Sequence, residues 1–518
     1  MARNCNKSGI NTSNGKRVYV GTTQTVMTQH AGLIGLVDYL RSSNMWDLIV
    51  EKVGQHLPRS KRKSKHDSEA MLLQRLIALF VGKEDLNDHD NWKDPILLQV
   101  LGVSELASSS TLSRMESQVT DALLHEMNAC LLEIFLRKED PGMIWLDADS
   151  TPVPVEGYQE GTEYNGHYRC NCYLPLVIFA NGLPIQVTFA GGTADGRNLL
   201  EKEIYDITET MQTRFPGTPI VLRGDAAFNR PVILDELEKR GCYYIIGFAP
   251  NTAVETMAAD EWKPETTKYS VRASDGASIA RALGDIEYVP QSWKKSPKKD
   301  VRRVIARHQV APVPKVTDKQ RQNPEVTMEA DLRLVVTNIP RTGIAHSPPG
   351  LADAHAELLY EVHYCQRAHS CEDRFSELKS GMFGARASAH RMRTNWYRMM
   401  LSAIAMHVFH YIRKDRFKGA ELDGRLWLNI EINRFRQLAV NVTAALVECA
   451  TRLTIRINPR NIYNFEGFEM LTGILIVSAN RLIQIKSQNL FWDFLYFHIR
   501  IVSTNSFFLW YNNKHEYQ

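Results

Sequence analysis

The sequence has no run of about eighteen apolar residues, the length that a membrane-spanning helix needs. Its 8 cysteines lack the paired Cys-x-x-Cys spacing typical of zinc sites, and Cys170 and Cys172 are too close together for an ordinary ligand pair. A signal peptide is also missing, so the cysteines are expected to be reduced thiols in the cytosol. These absences argue against a membrane protein, a zinc-finger protein and a disulfide-rich secreted protein.

A large excess of one charge is missing too, because 62 Lys and Arg residues face 58 Asp and Glu residues, for a net charge of +4. Any contact with nucleic acid must therefore come from local basic patches. Two such clusters occur, and for each a solvated surface is about as good an interpretation as nucleic-acid contact. They are Arg59, Lys61, Arg62, Lys63 and Lys65, and Lys294, Lys295, Lys298, Lys299, Arg302 and Arg303 beside Trp293.

The 518 residues are enough for about two to four domains, and the hydrophobic spacing changes along the chain. Residues 1–25 are polar and are predicted to be a flexible leader. Apolar residues recur at helical spacing over 26–140, which predicts an all-helical domain. Residues 141–251 predict the order β-β-β-α-β-α-β, and 341–420 predict long helices. The expected fold class is therefore mixed α/β, with a catalytic core assembled from the last two segments.

Two further segments depart from this pattern. Residues 252–340 contain short strand signals between polar connections and are predicted to be a β-rich insertion in the core. Residues 421–518 end in about 60 residues that are unusually rich in aromatic side chains. This C-terminal stretch is either a β-rich packing unit or readthrough sequence that was never selected to fold.

The core is organised around residues 143–151, MIWLDADST. Apolar residues run to Leu146 and are followed by Asp147 and Asp149, which point to the same face if the segment is a strand. A turn is the alternative interpretation, because Asp, Ser, Thr and Pro152 all favour one. Asp147 has three interpretations: a cap of the strand end or a residue that supports a neighbouring ligand, which are both favoured, or a metal ligand itself.

Two more carboxylates occupy comparable positions. Asp225 follows the short apolar strand PIVL, and Glu372 lies in a later helical segment. One acid after the first strand, one after the fourth and one on a following helix is the arrangement of ribonuclease H-like nucleotidyl transferases. Without that arrangement, Glu372 beside Asp373 and Glu377 would be read as a charged helix surface.

Three converging carboxylates require cations, because two of them about 4 Å apart repel by about 4 kcal/mol at an effective dielectric constant near 20. Two Mg²⁺ ions, with Mn²⁺ as a substitute, would neutralise the cluster and clamp both oxygens of an in-line phosphoryl displacement. Asp149, Asp225 and Glu372 are therefore the predicted catalytic and metal-binding residues, and a phosphodiester is the predicted substrate.

Several ordered segments between about residues 30 and 415 together resemble the DDE transposases of bacterial insertion sequences. They are NDHD, SSSTLSRME, LDADST, YNGHYRCNCYLPLVIF, LRGDAAF and YCQRAHSCEDRFSELK. The last segment resembles the tyrosine, arginine, glutamate and lysine signature of that family, here Tyr364, Arg367, Glu372 and Lys379.

The resemblance implies metal-dependent cleavage at the terminal inverted repeats, followed by attack of the freed 3′-hydroxyl on target DNA in a cut-and-paste reaction. It also implies a homodimer in a synaptic complex with double-stranded DNA, in the bacterial cytoplasm and associated with the nucleoid. Tyr364, Arg367 and Lys379 are then expected to contact DNA. Arg391 and Arg393, just beyond the signature, suit contacts with the DNA backbone.

Two residues depart from the family pattern. Four residues separate Arg367 from Glu372 instead of three, which turns the arginine by about 100° relative to the glutamate unless the helix bulges. Ala227 stands where glycine is expected. Two rival functions therefore stay open: a metal-dependent nuclease that does not join strands, and a catalytically dead DNA-binding repressor. His89 in NDHD is either a metal ligand or part of a capped turn.

Overall fold

A sheet of nine strands dominates the computed structural model of this chain. The structure describes residues 10–11, 17–18, 25–58, 66–260, 266–271, 278–312, 328–344, 351–422, 425–426, 429–449, 452–457 and 462–472. The basic cluster at 59–65, most of the polar leader and the aromatic-rich tail from 473 onward lie outside these residues. Within the described part of the chain, no helix is long and apolar enough to cross a bilayer.

The strands fall into one large sheet and four small ones. In chain order they are β1 (Ile10–Asn11), β2 (Arg17–Val18), β3 (Val26–Thr28), β4 (Ile144–Ser150), β5 (Val153–Pro154), β6 (Glu163–Asn165), β7 (Cys170–Tyr173), β8 (Leu176–Ala180), β9 (Leu183–Thr188), β10 (Ile220–Gly224), β11 (Tyr243–Phe248), β12 (Thr266–Val271), β13 (Ser278–Ile286), β14 (Arg303–Pro312), β15 (Met328–Thr337), β16 (Glu421–Leu422), β17 (Arg425–Leu426), β18 (Ala444–Cys449) and β19 (Arg452–Ile457).

Within the described residues, the α-helices precede the large sheet, connect several of its strands and follow it. They are α1 (Leu33–Ser42), α2 (Met45–Val53), α3 (Ser68–Val81), α4 (Asp88–Asn91), α5 (Pro95–Leu101), α6 (Ser109–Glu116), α7 (Asp121–Lys138), α8 (Gly196–Arg214), α9 (Pro231–Lys239), α10 (Thr252–Asp260), α11 (Cys365–Ser376), α12 (Met392–Arg416), α13 (Ile432–Phe435) and α14 (Ile462–Thr472). Two π-helical segments, Leu358–Tyr364 and Glu377–Gly381, flank α11 directly.

The chain forms two compact units, each made of segments that are distant in sequence. One unit consists of Met1–Ser43, Ala70–Ser109 and Tyr411–Gln518, and includes the small sheet β19-β18-β3. The other consists of Asn44–Glu69 and Ser110–His410, and includes the large sheet.

The large sheet has the order β12-β13-β14-β15-β11-β10-β4-β8-β9. Its central strands β4, β10 and β11 are parallel, and Leu146 of β4 lies beside Leu222 of β10. Parallel strands are normally covered on both faces, which accounts for the unbroken apolar runs that precede Asp147 and Arg223. The predicted β-β-β-α-β-α-β order is present, and its first and fourth strands are neighbours.

The predicted hairpin joins β8 and β9 through Asn181 and Gly182, whose φ values of 48° and 84° suit a tight two-residue turn. Asn181 also holds the start of β4, since its Oδ1 accepts the Trp145 N–H at 2.8 Å and its Nδ2 donates to the Met143 carbonyl at 3.1 Å. This turn therefore fixes the strand that carries Asp149.

The segment predicted as a β-rich insertion adds its strands to the same sheet, because β15 pairs antiparallel with β11. Its basic cluster is partly internal: the Arg302 side chain is fully buried in ion pairs with Asp235 and Glu238. Arg303 pairs with Asp285 at 3.0 Å. Neither the solvated-surface interpretation nor DNA contact therefore describes these two arginines, although Lys294, Lys295 and Lys298 are exposed.

In the other unit, His89 lies in the interior rather than at a surface turn. Its Nδ1 is 3.1 Å from Gln74 Nε2, and its Nε2 is 3.1 Å from an Arg75 nitrogen. Burial, followed by the charge of Arg75, lowers the pKa of His89 to about 3, so the ring is neutral at physiological pH. The side chain connects α3 to α4 and is a structural residue.

Candidate active site

Asp149 and Asp225 lie at the same edge of the sheet, where two neighbouring parallel strands end. Asp149 is the penultimate residue of β4, and Asp225 directly follows β10. Burial raises the pKa of Asp149, Arg367 acts in the opposite direction, and the negative charge of Asp225 raises it further. The two carboxylates are therefore close enough to repel each other, as the strand order predicts.

A short turn holds the Asp225 carboxylate. Its Oδ1 accepts the Ala227 N–H at 2.8 Å, at the start of the 3₁₀ helix Ala226–Phe228. Gly247 of the adjacent β11 allows close packing here, because a Cβ at that position would lie 2.7 Å from Ala226 N and 2.5 Å from the Tyr364 hydroxyl. The absence of a side chain at Gly247 thus brings Tyr364 against the Asp225 turn.

The helical segment that begins at 358 brings Tyr364 and Arg367 to the carboxylates. An Arg367 nitrogen lies 3.4 Å from Asp149 Oδ2, and the Arg367 guanidinium carbon lies 5.8 Å from the centre of the Tyr364 ring. Both side chains are largely buried, and burial raises the pKa of Tyr364. These two predicted DNA-contact residues therefore lie at the two aspartates.

Glu372 is not brought to them. Arg367 and Cys371 are four residues apart and share the face of α11 that meets the sheet, so the next residue is turned away by about 100°. Its side chain is exposed. Within the described residues, no group of three or more His, Cys, Asp or Glu side chains is placed to hold a metal ion. The extra residue between Arg367 and Glu372 thus keeps the arginine at Asp149 and directs the glutamate outward.

Similarity to a known family extends over most of the chain. A family model described as transposase DDE domain group 1 matches residues 11–464. The chain belongs to this family. No curated protein sequence matches this transposase. A cryo-EM structure of a piggyBac transposase synaptic complex with hairpin DNA is similar at a TM-score of 0.38 and 10% identity, and the match covers 90% of the transposase described here and 92% of that chain.

Membership of the DDE transposases makes the chain a DNA-cleaving or strand-transfer enzyme, and DDE domains generally use divalent metal ions. Carboxylate oxygens are the ligands that such ions prefer, and Asp149 and Asp225 supply them from adjacent strands. Asp149 Oδ1 already accepts the Ser150 N–H at 2.9 Å. As a pair the two aspartates fit a divalent ion, but in this conformation Glu372 does not complete a set of three ligands.

The remaining predicted DNA-contact residues of the transposase occupy two places. Lys379 contacts the residue that follows β4, since its Nζ donates to Thr151 Oγ1 at 3.0 Å, and Thr151 is two residues after Asp149 in the sequence. Arg391 donates to the Ser117 carbonyl at 2.8 Å, and Arg393 forms an exposed ion pair with Asp121. The last two arginines thus contact the α6–α7 connection of their own unit.

The sequence interpretation overlooked Tyr168, which lies on the turn between β6 and β7. The side chain is 40% exposed, and after burial the charges of Asp149 and Asp225 are the causes that raise its pKa. Asn165 Oδ1 fixes the turn by accepting the N–H groups of His167 at 2.9 Å and Tyr168 at 3.1 Å. The only sequence signal was the quoted YNGHYR segment, in which nothing distinguishes Tyr168 from its aromatic neighbours.

The sequence interpretation also overlooked the partner of Asp147. Both carboxylate oxygens of Asp147 bind Arg223, at 2.6 Å and 2.7 Å. Asp147 is buried and paired, so it acts neither as a strand cap nor as a free ligand. Arg223 was visible in the sequence as part of RGD, but its contact depends on the register of β4 against β10.

Proposed function

We propose that this transposase binds the terminal inverted repeats of a bacterial insertion sequence, cleaves phosphodiester bonds there with two Mg²⁺ ions, and joins the 3′-hydroxyl ends to target DNA by cut-and-paste. The observation that carries the proposal is the convergence of Asp149 and Asp225 at the ends of β4 and β10, with Arg367 beside them. The reaction takes place in a synaptic homodimer in the bacterial cytoplasm, associated with the nucleoid.

We also propose that the core is ribonuclease H-like. The support is the strand order β9-β8-β4-β10-β11, in which the strand bearing Asp149 lies between the hairpin and the strand that precedes Asp225. Both acids lie at the carboxyl-terminal ends of the neighbouring parallel strands β4 and β10.

Each side chain has a role that follows from its position. Divalent ions, when bound, supply the positive charge that stabilises the attacking and leaving oxygens. Asp149 and Asp225 would hold those ions, while Arg367 at Asp149 and Lys379 at Thr151 supply fixed positive charge for the DNA phosphates. Glu372 has to turn toward the aspartates to act as the third ligand. The π-helical segments on both sides of α11 are where the helix can change its winding.

One observation favours a second candidate. Because Glu372 is exposed and apart from the aspartates, the chain can be a DNA-binding repressor that occupies transposon ends without cutting them. A metal-dependent nuclease that cuts without joining is the remaining enzymatic alternative.

The test is cleavage and strand transfer of labelled insertion-element ends with Mg²⁺ or Mn²⁺. The parent is compared with Asp149→Ala, Asp225→Ala and Glu372→Ala, and with Asp373→Ala as a matched control on the exposed face of α11. Loss of cutting in the first three variants, with binding kept and the control active, supports the transposase. Binding without cutting by the parent supports the repressor, and cutting without joining supports the nuclease.

A further inference from the structure

A buried ion pair, Asp147 with Arg223, joins β4 to β10 two residues before Asp149 and Asp225. We propose that Asp147 and Arg223 are positioning residues of the transposase: the pair holds the helical segment 358–376 in register on β4 and β10. Tyr364 and Arg367 reach the catalytic edge as a result. The expected effect on cleavage rests on the proposed function. The positioning of the helical segment does not depend on it.

The pair lies directly behind the acids. Arg223 and Asp147 are register partners in the parallel β10–β4 pair, and each precedes its catalytic aspartate by two residues. Residues two apart in a strand share a face, so both pairs of side chains point toward α11. The side chains of Arg223 and Asp147 are only 9% and 4% exposed, and their two hydrogen bonds are 2.6 Å and 2.7 Å long.

Arg223 also holds the helical segment. Its third contact is a hydrogen bond of 3.1 Å to the backbone carbonyl of His363, the residue before Tyr364. The guanidinium carbon lies 4.6 Å from the centre of the Trp145 ring. Trp145 in turn stacks on His363, with ring centres 4.9 Å apart and an interplanar angle of 20°. One arginine thus fixes strand β4, strand β10 and the segment that delivers Tyr364.

On one side of the pair, few apolar contacts hold the helical segment against the sheet. A cavity of about 520 Å³ lies there, and its lining includes Asp147, Arg223, and both Cys371 and Arg374 of α11. Apolar contacts hold other parts of the segment, where Leu359 and Tyr360 are buried in the core and Phe375 meets Phe179 edge-on at 5.2 Å. Beside the cavity, the directional hydrogen bonds of Arg223 add to this packing in setting the register of the segment.

A second buried pair in the same unit provides a matched control. Arg302 makes two hydrogen bonds to Glu238, at 2.7 Å and 3.0 Å, and the two side chains are 0% and 2% exposed. The geometry matches that of Arg223 and Asp147, but this pair connects α9 to the segment before β14. Loss of either carboxylate weakens the pairing of a buried arginine. Arg302 keeps its ion pair with Asp235, so the free energy of unfolding of both variants is measured beside the exchange.

The experiment compares full-length Asp147→Asn and Glu238→Gln with the parent in two measurements. Hydrogen exchange of peptides covering 358–376 reports the positioning without any DNA. Single-turnover cleavage of end DNA at saturating concentration, together with the DNA dissociation constant, reports the catalytic consequence. We expect faster exchange in 358–376 and a cleavage rate about 100-fold lower for Asp147→Asn, with a much smaller loss of DNA affinity. Glu238→Gln should leave both measurements near the parent values.

The double variant Asp147→Leu/Arg223→Met covers the case in which Asp147→Asn does not fold. It replaces the pair by apolar groups of similar size, which restores stability but not the bond to His363. Faster exchange and slow cleavage in this variant support the proposal. Parental exchange in 358–376, or equal effects of the Glu238 and Asp147 variants, overturns it. If the parent itself does not cleave, the proposed function fails and the exchange measurement alone decides the positioning role.

Discussion

Arg367 lies 3.4 Å from Asp149, yet the pKa of Asp149 is raised above its ordinary value. Burial therefore outweighs the favourable charge of the arginine, and the negative charge of Asp225 adds to the cost. The ionised form of Asp149 is disfavoured at this site, and the positive charge of Arg367 stabilises it only in part. A bound cation would supply the rest of that stabilisation. The ionised carboxylate that would bind metal is therefore expected to lower the free energy of unfolding.

Asp149→Asn should therefore stabilise the transposase at neutral pH while abolishing cleavage. Because the folded pKa of Asp149 is raised, the carboxylate costs stability once the pH exceeds the unfolded value of about 3.9. Thermal unfolding with and without Mg²⁺ across pH 3 to 8 measures the effect. The variant should be more stable than the parent at neutral pH without metal, and the difference should vanish near pH 3. A less stable variant at neutral pH would contradict the assignment of Asp149 as a strained ligand.

Lys379→Gln should weaken DNA binding mainly because it removes one charged contact between the lysine and a DNA phosphate. The lysine is half-buried and donates to Thr151, so its ammonium group is held at the end of β4 rather than moving freely in solvent. Removing one phosphate contact lowers the slope of log affinity against log salt by about 1. Thr151→Val is the matched control, because it removes the acceptor and keeps the charge. Equal slopes for the parent and Lys379→Gln would place the lysine away from DNA.

Tyr168 should contact a base or sugar near the scissile phosphate through its ring. Stacking of one base on an aromatic side chain contributes about 1–3 kcal/mol, so Tyr168→Ala should weaken binding of a pre-cleaved, single-stranded end about 5- to 150-fold. Tyr168→Phe keeps the ring and should bind like the parent. Tyr164, 60% exposed on β6, provides a control tyrosine on the same small sheet. If Tyr164→Ala weakens DNA binding more than Tyr168→Ala does, Tyr168 is not the residue that contacts the DNA.

The sequence predicted much of the core because the signals there are local. The strand ending at Asp149, the Asn181-Gly182 turn and the strand before Asp225 each follow from a few adjacent residues, and adjacency of the first and fourth strands brings the acids together. Mixed α/β architecture was predicted on the same grounds and is confirmed.

What the sequence could not show depends on register and on distant partners. The bond between Asp147 and Arg223 requires one particular alignment of β4 against β10, and a shift of one residue would point both side chains to the other face. Arg302 belonged to a basic cluster in the sequence, but a carboxylate on α9 makes it internal. The outward direction of Glu372 likewise depends on which residues of α11 meet the sheet.

His89 should make the fold sensitive to acid. Its pKa is lowered to about 3 by burial, whereas an unfolded histidine titrates near 6.5. The stability that the neutral ring contributes is present above pH 6.5 and is lost as the pH falls toward 3, with a total of about 5 kcal/mol. His89→Gln cannot be protonated in this range, and its side-chain oxygen can still accept from Arg75. Urea unfolding of the parent and variant between pH 7 and 4 measures the difference. The parent should lose more stability than the variant over that range, and parallel curves would show that burial does not lower the pKa of His89 in the folded protein.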